Sequence, residues 1–371
     1  MKILFVGGGT GGHFYPLIAV AEEIRALQPS AQLYYIGPEP YNKTDLDALS
    51  ISYVYCPAGK VRRYFSLQNF IDFFRTIAGV FIAWYKLFIL YPDVIFSKGS
   101  FTSVPVLLIA RFYRIPVVIH ESDSKPGRAN MLARKFARYI GIAYADVASY
   151  FPEEKTARIG IPIRKVLRQQ SADPFAELGI PNDRPLIYVT GGSSGAERLN
   201  ALILDSLSVL LPEYRIFHQT GSQYEATITQ SAQALLLDNP DLLQYYYVKG
   251  TMPGETVRAL LQASSVVICR AGSTTLFEVA LHGKPAIVIP IPEEISHDQR
   301  TNAYSYARSG AGSVIEEHNL TKHLLQAEIQ SIMTEPGKYQ KMSESAKAFS
   351  APDAARAIAD ILISIAFEHG T

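Results

Sequence analysis

The chain has 371 residues, 48% of them hydrophobic and 19% charged, enough for two ordinary domains and inconsistent with a disordered protein. A formal net charge of +1 gives no global case for a nucleic-acid partner, and two cysteines provide no disulfide framework, which points to a reducing compartment. The charge is uneven: residues 57–138 hold 13 Lys and Arg against 4 Asp and Glu, so one face is expected to meet anionic groups.

Apolar runs and helical periodicity predict a strand over 2–6, a helix over 13–27, strands over 32–36 and 51–56, and a long helix over 66–91. A strand over 93–97, a helix over 102–113, a strand over 116–120, a helix over 127–137 and a strand over 139–143 complete the first half. The N-terminal apolar run is too short for a secretory signal. A polar stretch with Pro174, Gly179 and Pro181 follows, and a second alternation begins. It predicts strands over 185–190, 214–219, 243–248, 265–269 and 285–290, with helices over 195–211, 255–262, 274–282 and 299–309. Such alternation implies parallel sheets covered on both faces, with ligands at the carboxyl ends of strands. The amphipathic tail over 352–371 needs a surface to cover and is expected to return to the first domain.

The first strand runs into five glycines in six positions, Gly7 to Gly12, closed by His13. A strand that turns through glycines into a helix presents backbone N–H groups at a positive helix end, an anion site. Two readings of His13 stand: a titratable ring beside a phosphate cradle, or a helix-start residue bonded to its own loop. Ser97-Lys98-Gly99-Ser100 can form another phosphate turn with Lys98 as a point charge, and His120-Glu121-Ser122-Asp123 can orient a sugar or move a proton. In the second half, Gly191-Gly192-Ser193-Ser194-Gly195 repeats the strand-to-helix turn. Ser273, Thr274 and Thr275 open a further helix with Glu278 one turn on, suited to phosphate and ribose, and His297, Asp298 and Gln299 suit sugar hydroxyls. No dense His, Cys or carboxylate set has zinc spacing, so no metal site is expected.

The long helix is apolar nearly all round, from Phe70 through Phe73, Phe81 and Trp84 to Ile89. Its longest charge-free run is ten residues, about half of a bilayer span. It reads as a core helix, or as a core helix that also lies on anionic lipid with Lys60, Arg62, Arg63 and Tyr64 at its flank.

Taken in order, Gly8 to His13, Ser97-Lys98-Gly99, His120 to Asp123, Gly160-Ile161-Pro162-Ile163-Arg164, Gly191 to Ala196, Arg270 to Glu278, and Gln299 with Asn302-Ala303 resemble the MurG family. That family comprises the UDP-N-acetylglucosamine:undecaprenyl-pyrophosphoryl-muramoyl-pentapeptide N-acetylglucosaminyltransferases, which make lipid II for peptidoglycan. The resemblance implies an α/β fold of GT-B type, two Rossmann-like doubly wound domains facing a central cleft. It assigns residues 1–162, with the tail, to the acceptor lipid and membrane, and residues 163–351 to the UDP-sugar. It places the acceptor pyrophosphate at Thr10, Gly11 and Gly12, with Asp123 as a further contact, although some members carry Gln-Asn where this chain has Ser122-Asp123. His13 becomes a candidate catalytic residue, with Glu121 and Asp123 as alternates. Arg164, Ser193, Met252, Ser273, Thr274, Thr275, Glu278, Asp298 and Gln299 fall on the UDP-N-acetylglucosamine side. The implied activity is an inverting transfer at the cytoplasmic face of the cell membrane by a peripheral protein, without a required cofactor; a divalent cation is at most stimulatory. The expected partners are UDP-N-acetylglucosamine, a polyprenyl-pyrophosphate lipid and an anionic membrane surface. The alternatives are a glycosyltransferase of the same fold acting on another membrane lipid, a nicotinamide-dependent oxidoreductase with Glu39 on the ribose, and a non-catalytic nucleotide-sugar binder.

Overall fold

The computed structural model describes residues 1–59, 67–192, 195–293 and 298–369. The chain divides into two compact units, residues 1–165 with 351–371, and residues 166–350. The division falls a few residues beyond 162 because the chain there is still tied to the first unit. Ile163 is buried, and the Lys165 N–H donates to Glu22 Oε2 at 2.7 Å.

The first unit runs β1 (Lys2–Val6), α1 (Gly11–Leu27), β2 (Gln32–Gly37), α2 (Lys43–Ala48), β3 (Ile51–Tyr55), α3 (Leu67–Leu90), β4 (Val94–Ser97), α4 (Val104–Tyr113), β5 (Val117–Glu121), α5 (Arg128–Ala133), β6 (Tyr139–Ile142) and β7 (Thr156–Arg158). All seven strands pair in parallel in the order β3-β2-β1-β4-β5-β6-β7. Side chains alternate across a strand, so Ile3 and Phe5 enter one core and Leu4 and Val6 the other. Helix α1 covers the first face and α3 and α4 the second.

The second unit opens within the short α6 (Lys165–Arg168). It runs α7 (Pro174–Leu178), β8 (Leu186–Thr190), α8 (Glu197–Leu210), β9 (Arg215–Gln219), α9 (Glu225–Leu235), β10 (Tyr246–Lys249), α10 (Gly254–Ala263), β11 (Ser264–Cys269), α11 (Ser273–Leu281), β12 (Ala286–Val288), α12 (Gln299–Arg308), β13 (Gly312–Val314), α13 (Lys322–Thr334) and α14 (Lys338–Phe349). Its six strands are parallel in the order β10-β9-β8-β11-β12-β13. The last helix, α15 (Ala354–His369), belongs to the first unit, where Ile358, Leu362 and Ile365 join the core under α1.

In each sheet the strand order reverses once, between β1 and β4 and between β8 and β11. That reversal leaves a crevice at the carboxyl ends of those strands, where open α/β sheets bind ligands. The expected strands and helices are present, with boundaries shifted by a few residues. Strands β7 and β13, three residues each, and helices α2, α6, α7, α9, α13 and α14 are additional.

Candidate active site

In the first unit the crevice is floored by the glycine turn. Gly7 has φ 139° and Gly9 φ 95°, which only glycine adopts without strain. A Cβ on Gly8 would stand 2.3 Å from the Tyr35 hydroxyl, which donates to the Gly7 carbonyl at 3.0 Å. The turn therefore lies against β2 and delivers the chain to α1 at Thr10. Thr10 makes no side-chain cap on α1; its Oγ1 lies 3.1 Å from His13 Nδ1. The bond of His13 to its own loop thus exists, and it orients the ring. The half-buried ring has a pKa below the usual histidine value, chiefly through desolvation, then through the charge of Lys98, with Asp123 opposing. His13 is accordingly neutral at pH 7.

Beneath the turn lies a buried polar network. Lys98, expected as a point charge for phosphate, is only 1% exposed, and its ammonium donates to His120 Nδ1 at 2.6 Å. His120 Nε2 lies 2.7 Å from the Gly160 carbonyl, which only accepts, so Nε2 carries the proton and Nδ1 is the acceptor for Lys98. Burial, then the charge of Lys98, hold His120 well below the usual histidine range. Burial brings Lys98 down to about 8, opposed by Glu121 and Asp123. Glu121 accepts from the Asp123 N–H at 3.2 Å on Oε1, and from the Gly127 N–H at 2.8 Å and Asn130 Nδ2 at 3.0 Å on Oε2. Burial, then Asp123, lift its carboxyl to about 7 against those bonds. Both Glu121 oxygens brace the loop after β5, whereas Asp123 is half-buried at that loop.

In the second unit a cavity of about 580 Å³ opens at the β8–β11 reversal, lined by Gly191, Gly195, Arg198, Arg270, Gln299 and Glu317 among others. Gly195, with φ 71°, approaches so closely that a Cβ would stand 2.3 Å from the Thr220 carbonyl. That carbonyl accepts from Asn200 Nδ2 at 3.0 Å; Asn200 Oδ1 meets His218 Nε2 at 3.0 Å, and His218 Nδ1 meets the Tyr246 hydroxyl at 2.8 Å. The Gln299 side chain accepts from the Ile291 N–H at 3.4 Å. Helix α11 follows Gly272, an N-cap with no side chain to offer, with Ser273 buried and Thr274, Thr275 and Glu278 half-buried. The charge of Glu278 reaches Tyr188 on β8, where it adds to burial in raising the phenol pKa. Met252 is half-buried after β10, and Asp298 is exposed at the start of α12.

Arg164 lies in the first unit, its guanidinium 3.9 Å from the centre of the Tyr15 ring on α1. Ser193, His297 and the flank of Lys60, Arg62, Arg63 and Tyr64 lie outside the described residues. Two groups carried no motif signal: Glu317, which ties Arg270 and Arg198, and Asn130, which holds the His120 carbonyl and Glu121.

Helix α3 is not simply a core helix. Ala83 and Leu87 are buried, but Phe73 is 60%, Phe81 68% and Trp84 49% exposed, as are Phe70, Phe88 and, on α4, Phe112. The segment Phe70–Leu90 is long and apolar enough to cross a membrane by length and composition. One side is packed against α4 and the other is uncovered.

Residues 3–142 match the Glycosyltransferase family 28 N-terminal domain, and residues 186–358 match the Glycosyltransferase family 28 C-terminal domain. The UDP-N-acetylglucosamine--N-acetylmuramyl-(pentapeptide) pyrophosphoryl-undecaprenol N-acetylglucosamine transferase of Shouchella clausii is 36% identical over 354 residues, 94% of this chain and 96% of that protein. The transferase numbered 2 under that name in Bacillus cereus is 36% identical over 323 residues, 86% of this chain and 88% of its own. Among solved structures, Acinetobacter baumannii MurG superposes with a TM-score of 0.74 at 24% identity, covering 98% of this chain and 99% of that one. The UDP-GlcNAc 2-epimerase of Neisseria meningitidis does so at 0.69 and 15% identity, covering 98% and 100%. These two likenesses concern the fold, which is of GT-B type. On the near-full-length identity to the two transferases, the chain belongs to the UDP-N-acetylglucosamine--N-acetylmuramyl-(pentapeptide) pyrophosphoryl-undecaprenol N-acetylglucosamine transferase family and is a hexosyltransferase.

Proposed function

We propose that the chain transfers N-acetylglucosamine from UDP-N-acetylglucosamine to the C4 hydroxyl of lipid I, with inversion, giving lipid II. The observation that carries this reading is family membership over nearly the whole chain, acceptor half included. The C4 oxygen forms a bond to the anomeric carbon as the bond from that carbon to the UDP oxygen breaks. The hydroxyl proton passes to His13. With Nδ1–H donated to Thr10 Oγ1, Nε2 has the lone pair for it, and the neutral state supports this role. Glu121 and Asp123 are the alternates; the three hydrogen bonds to Glu121 disfavour it.

The acceptor pyrophosphate is assigned to Thr10, Gly11 and Gly12 at the positive end of α1, with Asp123 as a further contact. UDP-N-acetylglucosamine is assigned to the second unit: Met252 at uracil, Glu278 at the ribose, Ser273 to Thr275 at phosphate, Ser193 on the UDP side, and Asp298 with Gln299, the latter in the cavity lining, at the sugar. Arg164 is assigned to the leaving diphosphate, whose growing charge it and the glycine turns offset without a required divalent cation. The protein acts at the cytoplasmic membrane face as a peripheral protein, with the exposed side of α3 on anionic lipid and no nucleic-acid partner.

The test is a transfer assay on lipid I and on diacylglycerol, with a calorimetric titration of UDP-N-acetylglucosamine against NAD. Transfer to lipid I alone and binding of the UDP-sugar alone support the reading. Transfer to diacylglycerol alone, or NAD binding alone, overturns it.

A further inference from the structure

We propose that Lys98 is a positioning residue for the transfer step: a fixed, buried cation tied to the ends of β1 and β5 beneath the glycine turn that carries His13. The inference rests on the reading of His13 as the base.

Lys98 connects three parts of the crevice. Its backbone N–H donates to the Val6 carbonyl at 3.0 Å, at the end of β1. Its stem underlies the turn, since a Cβ on Gly7 would stand 2.9 Å from Lys98 Cβ. Its ammonium holds His120 at the end of β5, and His120 passes the tie to the Gly160 carbonyl. A methionine of similar length would fill the same volume, and burying an ammonium costs several kcal/mol. Packing therefore does not account for the charge.

The charge has a consequence that packing lacks. His120 is fixed as the neutral Nε2–H tautomer, so the positive charge stays on Lys98. Glu121 has both oxygens engaged with the loop. The charged groups that act on His13 are Lys98, after β4, and Asp123, after β5; Thr10 touches it from its own turn. Lys98 opposes protonation of the ring and Asp123 favours it. The cation thus keeps a lone pair available on His13 beside an anionic substrate that would otherwise draw a proton onto it.

The test follows the His13 ring by NMR titration in ¹³C-histidine-labelled protein without substrate, for the native chain, Lys98→Met and Lys98→Gln. The pH profile of kcat for transfer is measured in parallel. Lys98→Gln keeps a donor for His120 Nδ1 and loses the charge, so it separates tie from cation. In both variants the His13 midpoint is expected to rise. The acid limb of kcat moves with it, while KM for UDP-N-acetylglucosamine stays within about twofold. An unmoved His13 midpoint in a folded variant overturns the proposal, as does loss of thermal stability without that movement. If only Lys98→Gln folds, it decides; failure of both to fold assigns Lys98 to the fold alone and also overturns it. A native chain that shows the His13 response but transfers nothing to lipid I defeats the reaction reading and leaves this inference standing.

Discussion

Arg270 Nη1 and Glu317 Oε2 meet at 2.6 Å, with both side chains close to fully buried, in the lining of the second-unit cavity. The other Glu317 oxygen takes Arg198 at 2.9 Å. One carboxylate thereby ties the end of β11 to the start of α8, the helix that follows β8 on the other side of the strand-order reversal.

Among the described residues, Glu317→Ala leaves Arg270 with the Ile289 and Pro290 carbonyls but no counter-charge. Removing one partner of a buried pair costs about 3–5 kcal/mol. Because those carbonyls remain, we expect the lower end of that range in urea unfolding of the second unit. A loss below about 1 kcal/mol contradicts a structural role for the pair. The Arg198 limb is exposed and adds little.

Glu278→Ala is expected to weaken UDP-N-acetylglucosamine binding by about 1–3 kcal/mol, the cost of losing a charged hydrogen-bonding partner. Unchanged affinity in a titration of the folded variant counts against the ribose role.

His218 sets a pH dependence in the second unit. Burial lowers its pKa from 6.5 to about 3. Between those values the unfolded chain binds a proton that the folded unit does not, so stability falls as pH drops from 6.5 toward 3. The contribution lost is up to about 4–5 kcal/mol. Amide exchange in β9 should accelerate over that window, and His218→Gln should flatten the acid limb. Equal steepness in variant and native chain removes His218 as the cause.

Much of this was legible because parallel strands buried on both faces leave plain apolar runs, and turns that need positive φ leave glycines: Gly7, Gly9, Gly192 and Gly195 mark both crevices. Strands β7 and β13 escaped because three residues at a sheet edge carry no pattern, Thr-Ala-Arg in one case. Residue type alone could not separate a lysine that meets phosphate from one that is buried on a histidine, as Lys98 is. Nor could it separate a free carboxylate from one whose oxygens are occupied, as in Glu121. Glu317 was invisible because its partners, Arg198 and Arg270, lie far from it in sequence.

Replacing Phe73, Phe81 and Trp84 by Ser is expected to reduce co-sedimentation with anionic vesicles while leaving the fold intact, because the three rings are exposed. High salt should weaken binding of the native chain too, since the charges of Lys60, Arg62 and Arg63 are screened. Co-sedimentation unchanged by the triple substitution removes α3 as the membrane contact.

His13→Ala is the most direct test of the chemistry. The ring is placed by the glycine turn, oriented by Thr10 and kept neutral at pH 7 by burial and by Lys98. Loss of a general base lowers rate by about 10²–10⁴, so kcat should fall at least roughly a hundredfold. The donor residues are on other elements, so UDP-N-acetylglucosamine binding should be nearly unchanged. If His13 only caps its own loop, the variant should instead lose thermal stability with a modest kinetic change. The pH profile separates the bases further. A His13 base, with its lowered pKa, gives an acid limb below 6.5, whereas a Glu121 base gives one near its raised value of about 7. A folded His13→Ala enzyme with near-native kcat moves the role to Glu121 or Asp123.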